Sequence, residues 1–334
     1  MRRISPAMYY AFPNPAPKEH LLSALLRYTR FSPSSNFPNA VKMISPDTSG
    51  MGAGRPYRKV YGDICALFDQ HHPDHQLLEQ HTLFRYFQPF EPFQNALKIN
   101  TPRIPGGIRV QTQWRWCVAC AEEDMEMYGF HSLHTDHQLP GNCLCERHQT
   151  PLTFRCLACQ GAWLDLADFA GDPRLPERCP HCAGKLGGRE LPDNPTVHWV
   201  RDISFGLLEG RVRIPPMYQL RAAYRRFIGL EQRPTTRTVA TNRVLAEANR
   251  YVRDQIDCDA ANYFFRCFAS KQNSSSTRAV LPLTKAAYEE MAVLHPVIHL
   301  LLIRTIFGDI NNIPMTGVGN DDHSTLSASK TICA

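Results

Sequence analysis

The stretch from residue 117 to residue 182 contains Cys117-Val-Ala-Cys120, Cys145-Glu-Arg-His148, Cys156-Leu-Ala-Cys159 and Cys179-Pro-His-Cys182, four ligand pairs that decide the fold. Within each pair, two intervening residues turn the backbone so that both side chains reach one metal ion, and two pairs complete a tetrahedron. The eight ligands therefore predict two closed, structural zinc sites. They indicate a compact metal-stabilised module, which proteins use for recognition far more often than for catalysis.

The order of the pairs along the chain favours sequential pairing. The last two pairs are separated by the 19 residues 160–178, a spacing typical of Cys-x2-Cys…Cys-x2-Cys zinc sites. The first two pairs are separated by the 24 residues 121–144, enough for a short helix or hairpin inside the loop. A cross-braced arrangement, in which the first pair joins the third and the second joins the fourth, remains open.

A histidine run beside the first site offers an alternative metal centre. His131, His134 and His137 are spaced by two residues, and Cys143 competes as a ligand because it lies two residues before Cys145. Three histidines with one open position are typical of catalytic zinc. The simpler interpretation is a polar loop or helix face, because no glutamate is suitably placed as a catalytic base, although residues 122, 123 and 126 are glutamates.

Motifs for other chemistries are absent from the sequence. The chain has no G-x-x-x-x-G-K-[ST] phosphate loop, no G-x-G-x-x-G, no G-x-S-x-G and no H-E-x-x-H. Together with closed metal coordination, this predicts a protein that is not an enzyme.

Cysteine use and hydropathy indicate a reduced, cytoplasmic protein. Seven of the 12 cysteines belong to the metal pattern, and the others are scattered along the 334 residues. No apolar run follows Met1, so we expect no signal peptide. The longest apolar segment, 297–307, is interrupted by His299 and Arg304 and is too short to span a bilayer.

Positive charge is concentrated in two regions, although the formal net charge is only +6. Residues 1–60 contain nine Lys and Arg against two acidic residues, a net of +7, and a second basic region covers 211–253. A solvated surface is the simpler interpretation, but such asymmetry suits nucleic acid or an acidic partner. The candidate contact residues are Arg27, Arg30, Arg55, Arg58, Lys59, Arg221, Arg225 and Arg226.

Apolar periodicity predicts a mainly α protein with a zinc module at its centre. Helices are predicted over 18–30, 77–87, 218–229, 242–256 and 295–307, and a loop over 271–277. The predicted divisions are a helical N-terminal part (1–108), a double zinc-finger module (109–190), a helical C-terminal part (191–316) and a disordered tail (317–334).

Five motifs together resemble the TniQ/TnsD family of target-selection proteins. They are Leu21-Leu-Ser-Ala-Leu-Leu-Arg27, His81-Thr-Leu-Phe84, Arg115-Trp-Cys117, Leu139-Pro140…Cys145…His148…Pro151-Leu152 and His295-Pro296…His299-Leu-Leu-Leu302. The family serves bacterial transposons that also encode a TnsA/TnsB transposase and an AAA+ ATPase, TnsC. The resemblance implies that the N-terminal part, 1–108, is helix-turn-helix-like. It also implies an adaptor that chooses the insertion site and recruits TnsC, with the basic N-terminal part as the expected TnsC contact.

Two modes of target choice follow from the resemblance. Long members carry an extra C-terminal region that recognises attachment-site DNA, whereas short members bind a guide-RNA surveillance complex (Cascade) and form head-to-tail dimers. Only the 27 residues 308–334 follow the last predicted helix, which favours the short, Cascade-linked type. His81-Thr-Leu-Phe84 resembles the long type, so attachment-site recognition without RNA stays as the alternative. Either mode implies a cytoplasmic protein that is nucleoid-associated when active.

Overall fold

The computed structural model describes residues 12–31, 37–44, 63–66, 68, 76–91, 113–163, 166–169, 175–233, 238–265, 281–290, 292 and 294–314. Helices predominate among them, which confirms the mainly α prediction. The helices are α1 (Leu21–Phe31), α2 (Phe37–Ile44), α3 (Gln76–His81), α4 (Phe84–Phe87), α5 (Val118–Tyr128), α6 (Pro195–Leu208), α7 (Met217–Ile228), α8 (Val239–Gln255), α9 (Cys258–Phe264), α10 (Leu283–Tyr288) and α11 (Pro296–Phe307). The predicted loop at 271–277 and tail at 317–334 lie outside the described residues.

Short elements complete the described fold. Single 3-10 turns occupy Gln88–Phe90, Asp136–Gln138, Leu166–Phe169 and Ile310–Asn312. Strand β1 (Arg155–Cys156) pairs antiparallel with β2 (Leu186–Gly187), so that Arg155 lies opposite Gly187 and Cys156 opposite Leu186. This two-stranded ribbon joins the third ligand pair to the residues that follow the fourth.

Helix α1 begins three residues later than its predicted start because the backbone before it turns sharply. Lys18 has a φ of 64°, which a helix cannot accommodate, and the amide of Glu19 bonds to the carbonyl of Ala16. The Glu19 carboxylate then accepts two hydrogen bonds from the buried guanidinium of Arg27, at 2.9 and 2.6 Å. The same guanidinium lies 4.0 Å above the ring of Phe130. This ion pair fixes the proline-rich segment against α1.

The predicted helix at 77–87 is divided into α3 and α4. The hydroxyl of Thr82 donates to the carbonyl of Leu78 and accepts from the amide of Phe84 at 3.1 Å. These bonds compete with the helical ladder, so the chain changes direction at this point. His81 then donates from Nδ1 to the carbonyl of Glu19, 2.8 Å away, and ties α3 to the segment before α1.

Two hydrophobic cores organise the described residues, and neither follows the predicted divisions. The first combines α1, α2 and α3 with Trp116, Trp163 and Phe169 from the metal-binding region. The second combines the C-terminal helices with Tyr86 and Phe90 from the N-terminal part. The divisions at 108/109 and 190/191 therefore do not separate independent hydrophobic cores.

The His295-Pro296…His299 motif supports the second core. His295 accepts the amide of Val297 through Nδ1 and so caps α11, while Pro296 occupies the first turn, where its missing amide costs nothing. The His299 ring is stacked between Phe90 and Tyr224, at centroid distances of 5.3 and 6.1 Å. Burial lowers the pKa of both histidines to about 3, so they are neutral packing groups.

Candidate metal centres

Three cysteines and one histidine converge at the first predicted site, here called the inner cluster. Its members are Cys117, Cys120, Cys145 and His148, whose ligand atoms all lie within 4.8 Å of one another. His148 presents Nδ1 to the three sulfurs at 3.5, 3.3 and 3.6 Å, and Cys120 Sγ lies 3.6 Å from Cys145 Sγ. In a tetrahedral zinc site with Zn–S bonds of about 2.3 Å, neighbouring ligand atoms lie about 3.6–3.8 Å apart. The donor geometry therefore fits such an ion closely.

The two halves of the inner cluster come from different local structures. Cys117 occupies the N-cap position of α5, and Cys120 lies in its first turn, so the helix itself sets their spacing. Cys145 and His148 come from a tight turn in which the amide of Gln149 bonds to the carbonyl of Cys145 at 2.9 Å. An isolated bridge between Trp116 and Thr153 brings the two halves together.

Polar side chains surround the ligands of the inner cluster. His148 contacts the Glu123 carboxylate through Nε2 at 3.1 Å, which leaves Nδ1 for a metal ion. Arg147 pairs with the other oxygen of the same carboxylate at 2.7 Å. The hydroxyl of Thr150 lies 3.4 Å from Cys117 Sγ. Such a carboxylate–histidine pair orients the ring and increases its basicity as a ligand.

The pKa values of the inner cluster show how strongly its groups interact. Hydrogen bonds from Cys120 and Cys145 lower the pKa of the Cys117 thiol, which favours its thiolate. Burial lowers the pKa of His148, but its hydrogen bonds to Glu123 and Cys117 more than offset this and leave the pKa above its ordinary value. The thiolate is the form that binds metal.

Four cysteines form the second predicted site, here called the outer cluster: Cys156, Cys159, Cys179 and Cys182. The distances are 3.5 Å between the sulfurs of Cys156 and Cys182 and 3.6 Å between those of Cys159 and Cys179. The backbone amide of Cys159, 3.5 Å from Cys156 Sγ, lowers the pKa of that thiol to about 6. Four sulfur donors in this arrangement suit zinc or another thiophilic metal.

One backbone turn is repeated at three of the four ligand pairs. The residue after each pair, Gln149, Gln160 or Ala183, has a φ between 52° and 60°. Its amide bonds to the carbonyl of the first ligand at 2.8–3.1 Å, and the amide of that ligand bonds to the carbonyl five residues on. The turn explains why two-residue spacing places both side chains on one metal.

The structure therefore assembles the sequential pairing and not the cross-brace. Each cluster could hold a metal ion, and the donor sets fit zinc. Cys143 is not a ligand: its sulfur lies 3.1 Å from the hydroxyl of Tyr263, beneath α9.

The three-histidine alternative is not assembled in the described residues. His131 accepts the amide of Leu175 through Nδ1 at 2.8 Å, away from the other two histidines. His134 and His137 stack with centroids 4.9 Å apart, and His134 Nε2 bonds to Asp124 at 2.9 Å. Those two rings instead group with Cys120, because His137 Nε2 lies 3.8 Å from its sulfur. His137 thus belongs to the surroundings of the inner cluster.

The basic residues predicted to contact partners have mixed placements. Arg55, Arg58 and Lys59 lie outside the described residues. For Arg27 and Arg221 a partner contact does not fit, because both are buried, Arg27 on Glu19 and Arg221 near the carbonyl of Ala292. Arg30 and Arg225 are half-buried and reach the carbonyls of Phe169 and Ala287. Arg226 is exposed on α7.

Comparison with known families supplies the remaining observation. Residues 10–152 match the family model of TniQ. The chain carries a TniQ domain. The match supports the predicted membership of the TniQ family and suggests a transposition-associated target-selection protein. The TniQ domain contains the whole inner cluster and ends before the outer one. No curated protein matches the chain.

None of the helices in the described ranges is both long and apolar enough to cross a membrane.

Proposed function

We propose that this TniQ-family chain is a target-selection adaptor for a TnsABC-type transposon. It links a Cascade surveillance complex on target DNA to the AAA+ regulator TnsC. The observation that carries the proposal is the TniQ match over residues 10–152. The motifs in this range contribute Leu21, Phe84 and Trp116 to the first core and Leu139 to the second, so they support the packing that an adaptor would need.

The two clusters are proposed to hold one zinc ion each, and the chain is proposed to have no catalytic activity. Four protein ligands fill a tetrahedral zinc shell and leave no position for a substrate or water. In the inner cluster, Glu123 and Thr150 would orient the ligands; in the outer cluster, the backbone amide of Cys159 would serve Cys156. Bound zinc would contribute folding free energy and no reaction chemistry.

The placement of the basic residues supports recognition of the target sequence by a partner and not by this chain. Of the five described arginines proposed as contacts, Arg27 and Arg221 are buried, and Arg30 and Arg225 are half-buried. These residues are poorly placed to contact base edges in a DNA groove. Pairing between guide RNA and target strand would then supply the sequence information, with the adaptor bound to the surveillance complex.

The decisive experiment reconstitutes the full chain with Cascade on its target DNA and with the TnsC-like ATPase. Recruitment of the ATPase to the Cascade-bound DNA should require the chain, as measured by a pull-down on immobilised DNA. Equal recruitment in its absence would refute the adaptor role.

We propose that the ATPase contacts the basic N-terminal part, as the sequence predicts, except that buried Arg27 is left out of the contact. Reversing Arg30, Arg55 and Arg58 to Glu should weaken ATPase recruitment without changing metal content. Arg27→Glu serves as a contrast, because a second carboxylate beside buried Glu19 should destabilise the fold itself. Unchanged recruitment by the triple variant would place the contact elsewhere.

The second candidate function is direct recognition of attachment-site DNA, and helix α8 favours it. In its 17 residues only Ala248 and Val252 are buried. Arg243, Arg250 and Arg253 are exposed, and two of them form exposed ion pairs on the same helix, Arg243 with Glu247 and Arg253 with Asp254. A basic exposed helix can supply phosphate contacts. A sequence-specific footprint of the purified chain on attachment-site DNA, at near-physiological salt and without guide RNA, would establish this function in place of the first.

A further inference from the structure

A group of buried polar side chains lies beside Cys120 of the inner cluster. Helix α5 supplies Cys120 and, one turn later, Asp124, and both are buried. Residues four apart share one face of a helix, so the two side chains project to the same side. The segment after α5 supplies His134 and His137, which are also buried. The four ligands of the inner cluster complete a tetrahedron without Asp124 or either of these histidines.

The carboxylate of Asp124 fixes the first of the two rings. Its Oδ2 accepts a hydrogen bond from the amide of Ser132 at 3.3 Å and another from the Ser132 hydroxyl. His134 donates from Nε2 to the same oxygen, 2.9 Å away. A hydrogen bond to a buried carboxylate is strong, so the His134 ring is held in one orientation.

The ring of His134 in turn positions that of His137. The two rings stack with 14° between their planes and with their centroids 4.9 Å apart. The backbone of His137 is held as well, because its amide donates to Asp136 Oδ1 at 2.9 Å. The His137 ring is therefore restrained both through its face and through its backbone.

The stacked rings do not form a further metal site with Cys120. A metal ion lies close to the plane of each imidazole that binds it. Two nearly parallel rings in a stack have separate planes, so they cannot both direct a nitrogen at one ion, and His134 Nε2 is already bonded to Asp124. The arrangement suits support of a ligand and not ligation.

The surroundings of His137 determine which ring nitrogen carries its proton. Nε2 lies 3.8 Å from Cys120 Sγ and 4.0 Å from Asp136 Oδ1, both of which are acceptors when ionised. Nδ1 is buried and has no partner among the described residues. A neutral imidazole has a single N–H group, and a buried N–H without an acceptor is costly. The proton therefore belongs on Nε2, where it faces the sulfur.

The charge of the inner cluster explains why such a hydrogen bond matters. Three thiolates around a divalent ion leave one negative charge in excess, and these sulfurs are buried. A buried charge is costly unless hydrogen-bond donors surround it. The hydroxyl of Thr150 lies 3.4 Å from Cys117 Sγ, and His137 occupies the corresponding position beside Cys120.

We propose that His137 is a positioning residue of the inner cluster, whose Nε2–H donates to the Cys120 thiolate and is held there by His134 and Asp124. The bond favours the thiolate over the protonated thiol and so strengthens metal binding. The inference rests on the proposed metal binding at the inner cluster. It adds support for a sulfur ligand, whereas Glu123 contacts the nitrogen ligand, His148.

The test compares His137→Leu, which removes the donor, with His137→Gln, whose amide nitrogen occupies the same position along the side chain as Nε2. In His137→Leu the affinity of the inner cluster for cobalt should fall about 10–100-fold in competition with a chromophoric chelator. The sulfur-to-cobalt charge-transfer band should move to lower energy, because the thiolate loses a donor. His137→Gln should recover most of both changes, and the four-sulfur outer cluster should keep its band in every variant.

Three further measurements keep the inference testable. His137→Asn has an amide that ends one carbon short of the sulfur, so it should behave like the leucine variant and replaces it if leucine lowers stability. Nitrogen-15 NMR of the cobalt-free, zinc-loaded chain should show the Nε2–H tautomer for His137. His198→Leu, which changes a half-buried histidine on α6, should leave affinity and band energy unchanged.

The outcomes separate the inference from the proposed function. Wild-type affinity and band energy in both the leucine and asparagine variants would overturn the inference while leaving the metal site intact. An Nδ1–H tautomer, or a third metal ion lost with His137, would also overturn it. No three-sulfur, one-nitrogen spectrum in the wild-type chain would refute the proposed metal site itself, and the inference with it.

Discussion

The inner and outer clusters have the same tetrahedral donor arrangement but differ in how they are embedded. The inner thiols are 1–4% exposed and lie inside the TniQ domain, whereas Cys159 and Cys182 of the outer cluster are exposed. Side chains of Glu123 and Thr150 support the inner ligands; in the outer cluster a backbone amide supports Cys156. The difference predicts that a metal ion in the inner cluster would support both hydrophobic cores. One in the outer cluster would support the β1–β2 ribbon and the loop that contributes Trp163 and Phe169 to the first core.

The inner cluster is connected to both hydrophobic cores. Trp116, immediately before Cys117, packs edge-on against Trp163 and Phe169 in the first core. Tyr263 of α9, in the second core, bonds to the carbonyl of Gly141 at 2.6 Å. Residues that flank the inner ligands therefore contact both cores, and loss of a metal ion bound at the inner cluster should loosen both.

Removing one inner ligand should have the largest effect. Structural zinc contributes about 10–16 kcal/mol in small peptides, comparable to the total stability of about 5–15 kcal/mol of a typical domain. Cys145→Ser should therefore abolish cooperative thermal unfolding, as followed by circular dichroism. Cys182→Ser should lose one metal ion by mass spectrometry yet keep a cooperative transition.

Cys258→Ser, which changes an exposed thiol outside both clusters, is the control for cysteine substitution. If Cys145→Ser and Cys182→Ser unfold alike, the contrast between the clusters is wrong.

The second prediction concerns Glu123, which supports only the inner cluster. Residues that orient a metal-bound histidine typically change metal affinity about 10–100-fold when substituted. Glu123→Ala should therefore weaken metal binding at the inner cluster by this factor in competition with a chromophoric chelator. Glu123→Gln should recover part of the loss, since its amide oxygen still accepts from His148.

Glu126→Ala is the matched control, because Glu126 is exposed on the same helix. With cobalt as a probe, the Glu123 variants should change the spectrum of the three-sulfur, one-nitrogen site and leave the four-sulfur site unaltered. Equal changes at both sites would contradict the role given to Glu123.

The contrast between the clusters shows what the sequence could and could not predict. Two-residue spacing predicted the ligand pairs, because a local turn repeated at three of them sets it. The choice of sequential pairing over the cross-brace depended on how the pairs pack together, which spacing left open. The sequence identifies Glu123 only as one of several acids near the first ligand pair. On a helix capped by Cys117, its i, i+3 relation to Cys120 places it on the same face as that ligand. The burial of Arg27 was missed because the partner, Glu19, precedes α1 and is brought close only by the left-handed turn at Lys18.

Chelation should distinguish the clusters kinetically. Release of a structural metal requires local opening, and exposed segments open at lower free energy than segments inside a core. Excess EDTA should therefore remove the metal ion of the outer cluster at least about tenfold faster than that of the inner cluster. The fast step should cause little loss of helical signal. In Cys182→Ser the fast phase should vanish. A single phase in the wild-type chain, or survival of the fast phase in that variant, would reject the assignment.

The smallest effect is expected from the left-handed turns. Gln149 and Ala183 occupy equivalent positions after an inner and an outer ligand pair, with φ values of 52° and 55°. Glycine adopts such angles without strain. Replacing either residue by glycine should therefore stabilise its turn by about 0.5–1 kcal/mol, after subtraction of the entropy that glycine adds to the unfolded chain. Gln149→Gly should raise the melting temperature, because the inner turn unfolds with both cores. Ala183→Gly should raise that temperature less and should slow mainly the fast phase of EDTA release, because two of the outer thiols are exposed and their turn opens more readily. The two variants test the same backbone change in two surroundings. A rise in melting temperature for Ala183→Gly equal to that for Gln149→Gly would mean that the outer cluster unfolds together with the cores.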